Sequence, residues 1–288
     1  MLLSLIGVVI GTVAGLHIST WGMYKDAIHE GFTVGRYSRS IVVGALVGLL
    51  LRPLVDVDLT TGSGMIVYFG MVYVVERVIV EIWKTFFRDE DQSKYFIPMQ
   101  FNLYGRPVRS RAARAAVGVL CLVVVGLAAV GLHRLQGVAL PVPAWVAALA
   151  VGSIGGWLAA IGGAWKDAPK EGFEPLKFLR SPLMTTGFAL LLLPFTDRWL
   201  YLAMAALGFE RAAVETYKTF FFPNKPRGKF AGKPITHPEM LTRRVRFAYV
   251  YAAIWVAVLV TYAVAWTEPG RGARGAGDAN VAATSAAG

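Results

Sequence analysis

The stretch YKDAIHEGFTVGRYSRS at residues 24–40 recurs as WKDAPKEGFEPLKFLRS at residues 165–181, with eight of 17 positions identical. A second stretch, ERVIVEIWKTFF at residues 76–87, recurs as ERAAVETYKTFF at residues 210–221, with eight of 12 positions identical. The two copies are 141 residues apart in the first case and 134 in the second. Two stretches that recur in the same order predict an internal duplication of most of the chain.

The segments that flank these stretches are strongly apolar. The chain has 288 residues, of which 56% are hydrophobic and 16% charged, whereas soluble proteins average about 25% charged residues. Its apolar runs are about 20 residues long, the length of a helix that crosses a bilayer. We therefore predict an all-α polytopic membrane protein. Its eight expected transmembrane helices lie at residues 2–21, 41–57, 63–83, 115–135, 142–165, 182–195, 199–217 and 247–266.

The composition excludes several classes of protein. A soluble enzyme or a disordered chain would carry far more charge. A disulfide scaffold is excluded because Cys121 is the only cysteine in the sequence.

The duplication predicts two parallel four-helix repeats, because an even number of spans gives both copies the same orientation in the membrane. The first repeat is expected at residues 1–134, a linker at 135–142, the second repeat at 143–267 and a disordered tail at 268–288.

Pairs of glycines four residues apart indicate where helices pack closely. Gly11 and Gly15 match Gly152 and Gly156 in the second copy. Because this spacing lets two helix backbones approach each other, we expect the first and fifth spans to meet near the centre.

The distribution of lysine and arginine predicts the orientation. With the N-terminus outside, the loops after spans 1, 3, 5 and 7 carry 22 basic residues and the opposite side carries 5. This bias predicts that those loops face the cytoplasm and that both termini lie on the non-cytoplasmic side of a cell (inner) membrane. The net charge of +11 then reflects topology and attraction to anionic membrane lipids. Nucleic-acid binding is disfavoured, because the bases are spread over four short membrane loops.

Four charged residues recur at the cytoplasmic ends of the third and seventh spans. Charges inside a span cost about 2.5–3.5 kcal/mol on insertion scales and therefore face the protein interior or a wet cavity. A structural interpretation makes them ion pairs that fix helix rotation. A functional interpretation makes them a binding site in which the arginines and lysines hold a phosphate or carboxylate. The candidate substrate-binding residues are Glu76, Arg77, Glu81, Lys84, Glu210, Arg211, Glu215 and Lys218.

A second set of carboxylates recurs in the motif K-D-x-x-x-E-G-F, which we expect just past the ends of the first and fifth spans. Asp26 and Glu30 match Asp167 and Glu171. Such a pair could hold Mg²⁺ together with a substrate phosphate. With one acidic motif per half, the layout is similar to that of membrane prenyltransferases, although those enzymes use motifs richer in aspartate. The structural alternative makes the aspartates helix caps or turn residues and the following glycines φ > 0 reversals.

Three functions are compatible with these patterns. The first is transport or handling of an anionic small molecule or lipid phosphate through a cytoplasm-facing cavity between the repeats. The second is a Mg²⁺-dependent membrane transferase that acts on a lipid (di)phosphate. The third is a non-catalytic scaffold with structural ion pairs. No cofactor other than Mg²⁺ is indicated by the sequence, and the fold class alone does not choose among the three.

Overall fold

A computed structural model describes residues 2–136, 141–222 and 228–268. The expected tail, apart from Glu268, and residues 137–140 of the expected linker lie outside this part of the chain. The regular secondary structure of the described residues is helical except for one hairpin. Its two strands have two residues each, β1 (Asn102–Leu103) and β2 (Arg106–Pro107). The helices are α1 (Leu2–Glu30), α2 (Val34–Leu50), α3 (Gly62–Ile82), α4 (Arg111–Arg134), α5 (Ala144–Glu171), α6 (Pro175–Leu192), α7 (Trp199–Thr216), α8 (Met240–Arg243) and α9 (Val245–Thr267). Short π-helical turns extend α3 (Trp83–Phe87) and α7 (Tyr217–Phe221).

Within the described residues, six segments are long and apolar enough to cross a membrane, which supports a helical membrane protein. The α3 and α7 helices, which correspond to the third and seventh expected spans, are not among the six. Each of them carries three charged residues of the recurring set. The six segments are Leu2–Glu30, Val34–Leu54, Arg111–Arg134, Ala144–Glu171, Pro175–Phe195 and Met240–Thr267.

The K-D-x-x-x-E-G-F motif is helical rather than a loop, which corrects the sequence-based expectation. Both α1 and α5 continue through the motif for two further turns. Asp26 and Asp167 therefore lie inside helices and do not cap them. The two helices end where Gly31 and Gly172 adopt φ angles of 70° and 84°, as the glycine reversal predicted. Pro169 lies in the last turn of α5, where it removes one backbone hydrogen-bond donor without ending the helix.

Glycines allow the closest approaches between helices, but the helices that they bring together are not the ones expected. A methyl group at Gly11 or Gly15 would overlap the backbone of α2 at Gly44 or Ser40. In the second half, Gly156 of α5 faces Pro182 of α6 in the same way. The expectation that spans 1 and 5 pack together was wrong. The spacing of glycines reports that a helix has a close neighbour, but it does not identify that neighbour.

The α3 and α7 helices form the centre of the bundle and run in the same direction. Near their amino ends, the Tyr201 hydroxyl accepts a hydrogen bond from the backbone N–H of Asp56, at 3.0 Å. At mid-length, the backbones of Gly70 and Gly208 are in direct contact. Their carboxyl ends then reach the same end of the bundle, which we call the basic end; it also contains the carboxyl ends of α1 and α5.

The two halves of the chain are interleaved. Helix α9 packs against α1 and α3 of the first half, and α4 contacts α7 of the second. The Glu268 carboxylate, just beyond α9, accepts hydrogen bonds from the first residues of α3.

The segments between the helices also cross between halves. The loop that follows α7 covers the end of α1, where His237 N–H donates to the Ile28 carbonyl at 2.9 Å. The loop that follows α3 covers α5, where Trp165 Nε1 donates to the Asn102 carbonyl at 3.0 Å.

Candidate anion-binding site

The charged residues of α3 and α7 meet at the basic end, but they differ in their partners. Arg77 forms an ion pair with Glu81, one helical turn away, and the Lys84 ammonium lies 3.7 Å from the same carboxylate. The Arg77 guanidinium also stacks on Trp21, 5.5 Å from the ring centroid. Arg77 and Lys84 of the first half therefore share one carboxylate, and each of these three side chains has a direct partner.

The matching charges of the second half form a looser set. The Arg211 Nη1 atom is 3.6 Å from Glu215 Oε1, and its Nε atom is 4.0 Å from Glu210 Oε2. Glu215 is also reached by Lys25 from α1, at 3.8 Å. Reciprocally, Lys166 of α5 interacts electrostatically with Glu81 of α3. Each half thus places one lysine of the K-D-x-x-x-E-G-F motif against a glutamate of the other half.

Glu76 and Glu210 are the most enclosed of the predicted residues. Both side chains are fully buried, and neither carboxylate makes a hydrogen bond within the part of the chain that the structure describes. Arg39 interacts electrostatically with Glu76, and Arg180 with Glu210. The two glutamates therefore lie behind the arginines and are placed to balance their charge.

In each half, one lysine bridges the two carboxylates that were predicted to bind a metal. The Lys229 Nζ atom lies 2.9 Å from Asp26 and 3.5 Å from Glu30. Burial alone would lower the pKa of Lys229, but these two carboxylates outweigh burial and raise it above its ordinary value.

In the second half, Lys177 holds the matching pair. Its Nζ atom lies 3.2 Å from Asp167 and 2.6 Å from Glu171. Within the described ranges, no group of three or more metal-ligating side chains forms. A pair of carboxylates bridged by an ammonium does not fit Mg²⁺, because the lysine occupies the position that the cation would take.

A pocket opens at the basic end of the second half, between α5, α6 and α7. It is a small pocket, with a volume of about 60 Å³, and it is open to the surroundings. Arg211 and Lys218 of the predicted constellation line it, together with Asp167 of the predicted metal set. Arg77, Lys84, Asp26 and Glu30 do not line it. This pocket lies inside the second half, whereas the sequence predicted a cavity between the halves. Its full lining is Ala159, Ala160, Gly163, Ala164, Asp167, Ala168, Gly172, Phe173, Glu174, Lys177, Phe178, Arg180, Ser181, Arg211 and Lys218.

Two cations in this pocket interact electrostatically with Glu210 or Glu215 but form no direct contact with a carboxylate among the described residues. Neither Arg180 nor Lys218 makes a hydrogen bond or an ion pair within 4 Å there, and the Arg180 Nε atom is buried without an acceptor. With Arg211 they form a triad of cations that we call the arginine–lysine triad. Sequence reasoning missed Arg180, although its match to Arg39 within the first recurring stretch was a signal that could have found it.

The matching space in the first half is filled. Trp21, which is 9% exposed, occupies the position that matches Gly162, and buried Met23 matches Ala164. A methyl group added at Gly31 would lie 3.0 Å from the imidazole of His237, whereas one added at Gly172 would meet no atom within 4 Å. The duplicated sequence has therefore produced one closed site and one open site.

No protein-family model, no curated protein and no solved structure matches the chain.

Proposed function

We propose that this integral membrane protein binds the phosphate or carboxylate of an anionic small molecule or lipid in the second-half pocket, as part of its transport or handling. The observation that supports this proposal is the arginine–lysine triad, in which Arg180 and Lys218 make no hydrogen bond or ion pair with the described residues beside Arg211 in an open pocket.

The chemistry of the triad suits a tetrahedral or planar anion. A guanidinium presents a fork of N–H donors that matches two oxygens of a phosphate or carboxylate, and a lysine adds a point charge. Unpartnered cations near the end of a membrane helix are costly, so an anion that satisfies them is stabilised. Glu210 and Glu215 lie behind the triad, and we expect them to hold Arg211 in position.

We further propose that the basic end faces the cytoplasm. The support is the excess of lysine and arginine on the loops at this end. In this arrangement α3 and α7 complete eight spans, the two halves have the same orientation, and both termini lie on the non-cytoplasmic side of the inner membrane. The parallel contact of α3 with α7 at Gly70 and Gly208 is consistent with it.

The first half fits the scaffold interpretation better than the binding interpretation. Arg77 and Lys84 share the Glu81 carboxylate, and Arg77 also stacks on Trp21. Arg39 has a buried Nε atom without an acceptor, as Arg180 does, but buried Met23 lies where the pocket of the second half has Ala164. A transferase that depends on Mg²⁺ gains no support from the lysine-bridged carboxylates.

The test is calorimetric titration of the detergent-purified protein with inorganic pyrophosphate. We expect Arg180→Gln and Lys218→Gln each to weaken binding, because a hydrogen bond to a charged group contributes about 1.5–3 kcal/mol, or about 10- to 150-fold in affinity. The matched controls are Arg39→Gln and Lys84→Gln in the first half, which should leave affinity unchanged. Gel filtration and thermal unfolding establish that each variant is folded. The proposal would be contradicted if the first-half variants lost as much affinity as the second-half variants. It would also be contradicted if the unaltered protein bound neither pyrophosphate nor a lipid phosphate.

A further inference from the structure

We infer that the anion bound by the arginine–lysine triad is the phosphate headgroup of a membrane lipid, whose acyl chain lies along a groove of small residues on α5. This inference rests on the proposed function. It adds the source of the anion and the route by which it enters, sideways from the bilayer.

The shape of the pocket is the first argument. Its lining on α5 runs from Asp167 back to Ala159 through Ala164, Gly163 and Ala160. These positions lie on one face of the helix, and eight residues of helix span about 12 Å. A free phosphate would occupy only the charged end of such a pocket. The remaining length, directed toward the middle of the membrane, is apolar and suits an alkyl chain.

The space beside α5 is the second argument. A methyl group added at Gly163 would meet no atom within 4 Å, so there is room along this face. The groove is wider than the matching face of α1, because Ile18 and Met23 stand where α5 has Ala159 and Ala164.

The surroundings of the pocket are the third argument. Both α5 and α6 are segments able to cross a membrane, and their outward faces beside the pocket are apolar and exposed. Leu158 is 55% exposed and Leu183 is 70% exposed. Phe173 and Phe178 pack on each other at the mouth, with ring centroids 5.4 Å apart. The open side of the pocket is therefore continuous with a surface that lipid covers.

The charges lie at the depth expected of a headgroup. The triad residue Arg180 and its neighbour Lys177 are near the start of α6, and Lys218 is just past the end of α7. Trp165, whose indole is 53% exposed, lies on α5 at the same end, as in the aromatic belt of membrane proteins.

The experiment uses two probes that separate the sources of the phosphate. Dioleoyl phosphatidic acid in detergent micelles represents the lipid, and inorganic pyrophosphate represents the free anion. The groove is blocked by Gly163→Leu, and the matched control is Gly22→Leu, at a position of the first half that is equally open. Arg180→Gln removes a headgroup contact, and Arg39→Gln is its control. Native mass spectrometry counts bound lipid, calorimetry measures pyrophosphate, and thermal unfolding confirms folding.

We expect one phosphatidic acid per chain in the unaltered protein. Gly163→Leu should weaken lipid binding by about tenfold, because it displaces methylene groups of the acyl chain, and should leave pyrophosphate affinity unchanged. Arg180→Gln should weaken both probes, and both control variants should behave as the unaltered protein.

Four outcomes would overturn the inference. If Gly163→Leu retains lipid fully, the acyl chain does not lie in the groove. If pyrophosphate binds and phosphatidic acid does not, the source is a free anion and the proposed function stands without this extension. If neither probe binds the unaltered protein, the proposed function itself fails. A lipid that survives Arg180→Gln equally well would also contradict the inference, because it would be held by the general surface.

Discussion

The contact between α3 and α7 at Gly70 gives a quantitative prediction for Gly70→Ala. The added methyl group would lie 2.7 Å from the carbonyl oxygen of Ala205 and 2.8 Å from its Cα atom. Both distances are shorter than real methyl contacts, so the two central helices must separate by several tenths of an ångström. Overpacking of this kind costs about 1–3 kcal/mol. At about 2–4 °C per kcal/mol, we expect the unfolding temperature to fall by about 2–12 °C.

The matched control for this substitution is Gly131→Ala on α4. No atom lies within 4 Å of a methyl group at that position, and alanine favours helix more than glycine does. We therefore expect its unfolding temperature to equal or exceed that of the unaltered protein. The measurement is thermal unfolding of the purified protein followed by fluorescence in one detergent. If Gly70→Ala were as stable as the unaltered protein, or if Gly131→Ala were the more damaging change, the close packing of the central helices would be refuted.

Three further predictions concern single side chains. Trp21→Ala should lower the unfolding temperature, because it opens a cavity and removes the stacking partner of Arg77, at a cost of about 3–5 kcal/mol; an unchanged value would refute the closed first-half site. Millimolar Mg²⁺ should not raise the unfolding temperature of the unaltered protein, but should raise that of Lys177→Ala, which frees Asp167 and Glu171; stabilisation of both proteins would show that the lysine does not block a metal. Burial alone would raise the pKa of Glu90, but Lys94 and Arg88 lower it below its ordinary value of 4.5, so its contribution to stability is present above pH 4.5 and is lost as pH falls further. The stability difference from Glu90→Gln should therefore shrink on acidification, and a difference that grows would contradict the sign.

The sequence predicted the helical membrane class because the signal for a membrane helix is composition and length, which need no tertiary information. It also predicted Arg211 and Lys218 as binding residues, since charges within an apolar span must find partners or solvent, and both line the pocket. The number of spans is harder to predict from sequence than the class. The charged residues that make α3 and α7 candidate binding helices also lower their hydropathy, which is the signal by which a span is recognised.

The partners of helices were harder to predict. Gly11 and Gly15 correctly indicated a close neighbour, but that neighbour is α2, because short connections favour packing between consecutive helices. The crossing of α9 onto the first half leaves no local trace in the sequence, and neither does the placement of the loop that follows α7 over the end of α1. The pocket was therefore predicted between the halves, where α3 and α7 in fact meet backbone to backbone at Gly70 and Gly208.

The difference between the two halves could have been found from the alignment of the copies. Ile18 and Met23 match Ala159 and Ala164, so the second copy has smaller side chains where α5 lines the pocket, beside Arg180 and Arg211. Smaller side chains next to charged ones leave a concave space with polar groups, which is typical of a binding pocket. A comparison of copies residue by residue would have favoured the second half over a site shared by both.

The most direct test of the central claim is to locate a bound anion in an experimental structure of the full chain. Tungstate is a suitable probe, because it is a tetrahedral oxyanion whose metal atom scatters X-rays anomalously. The account predicts one anomalous peak in the second-half pocket, within hydrogen-bonding reach of Arg180, Arg211 and Lys218. A peak beside Arg39 and Lys84, a peak between the two halves, or an empty pocket at saturating tungstate would contradict it.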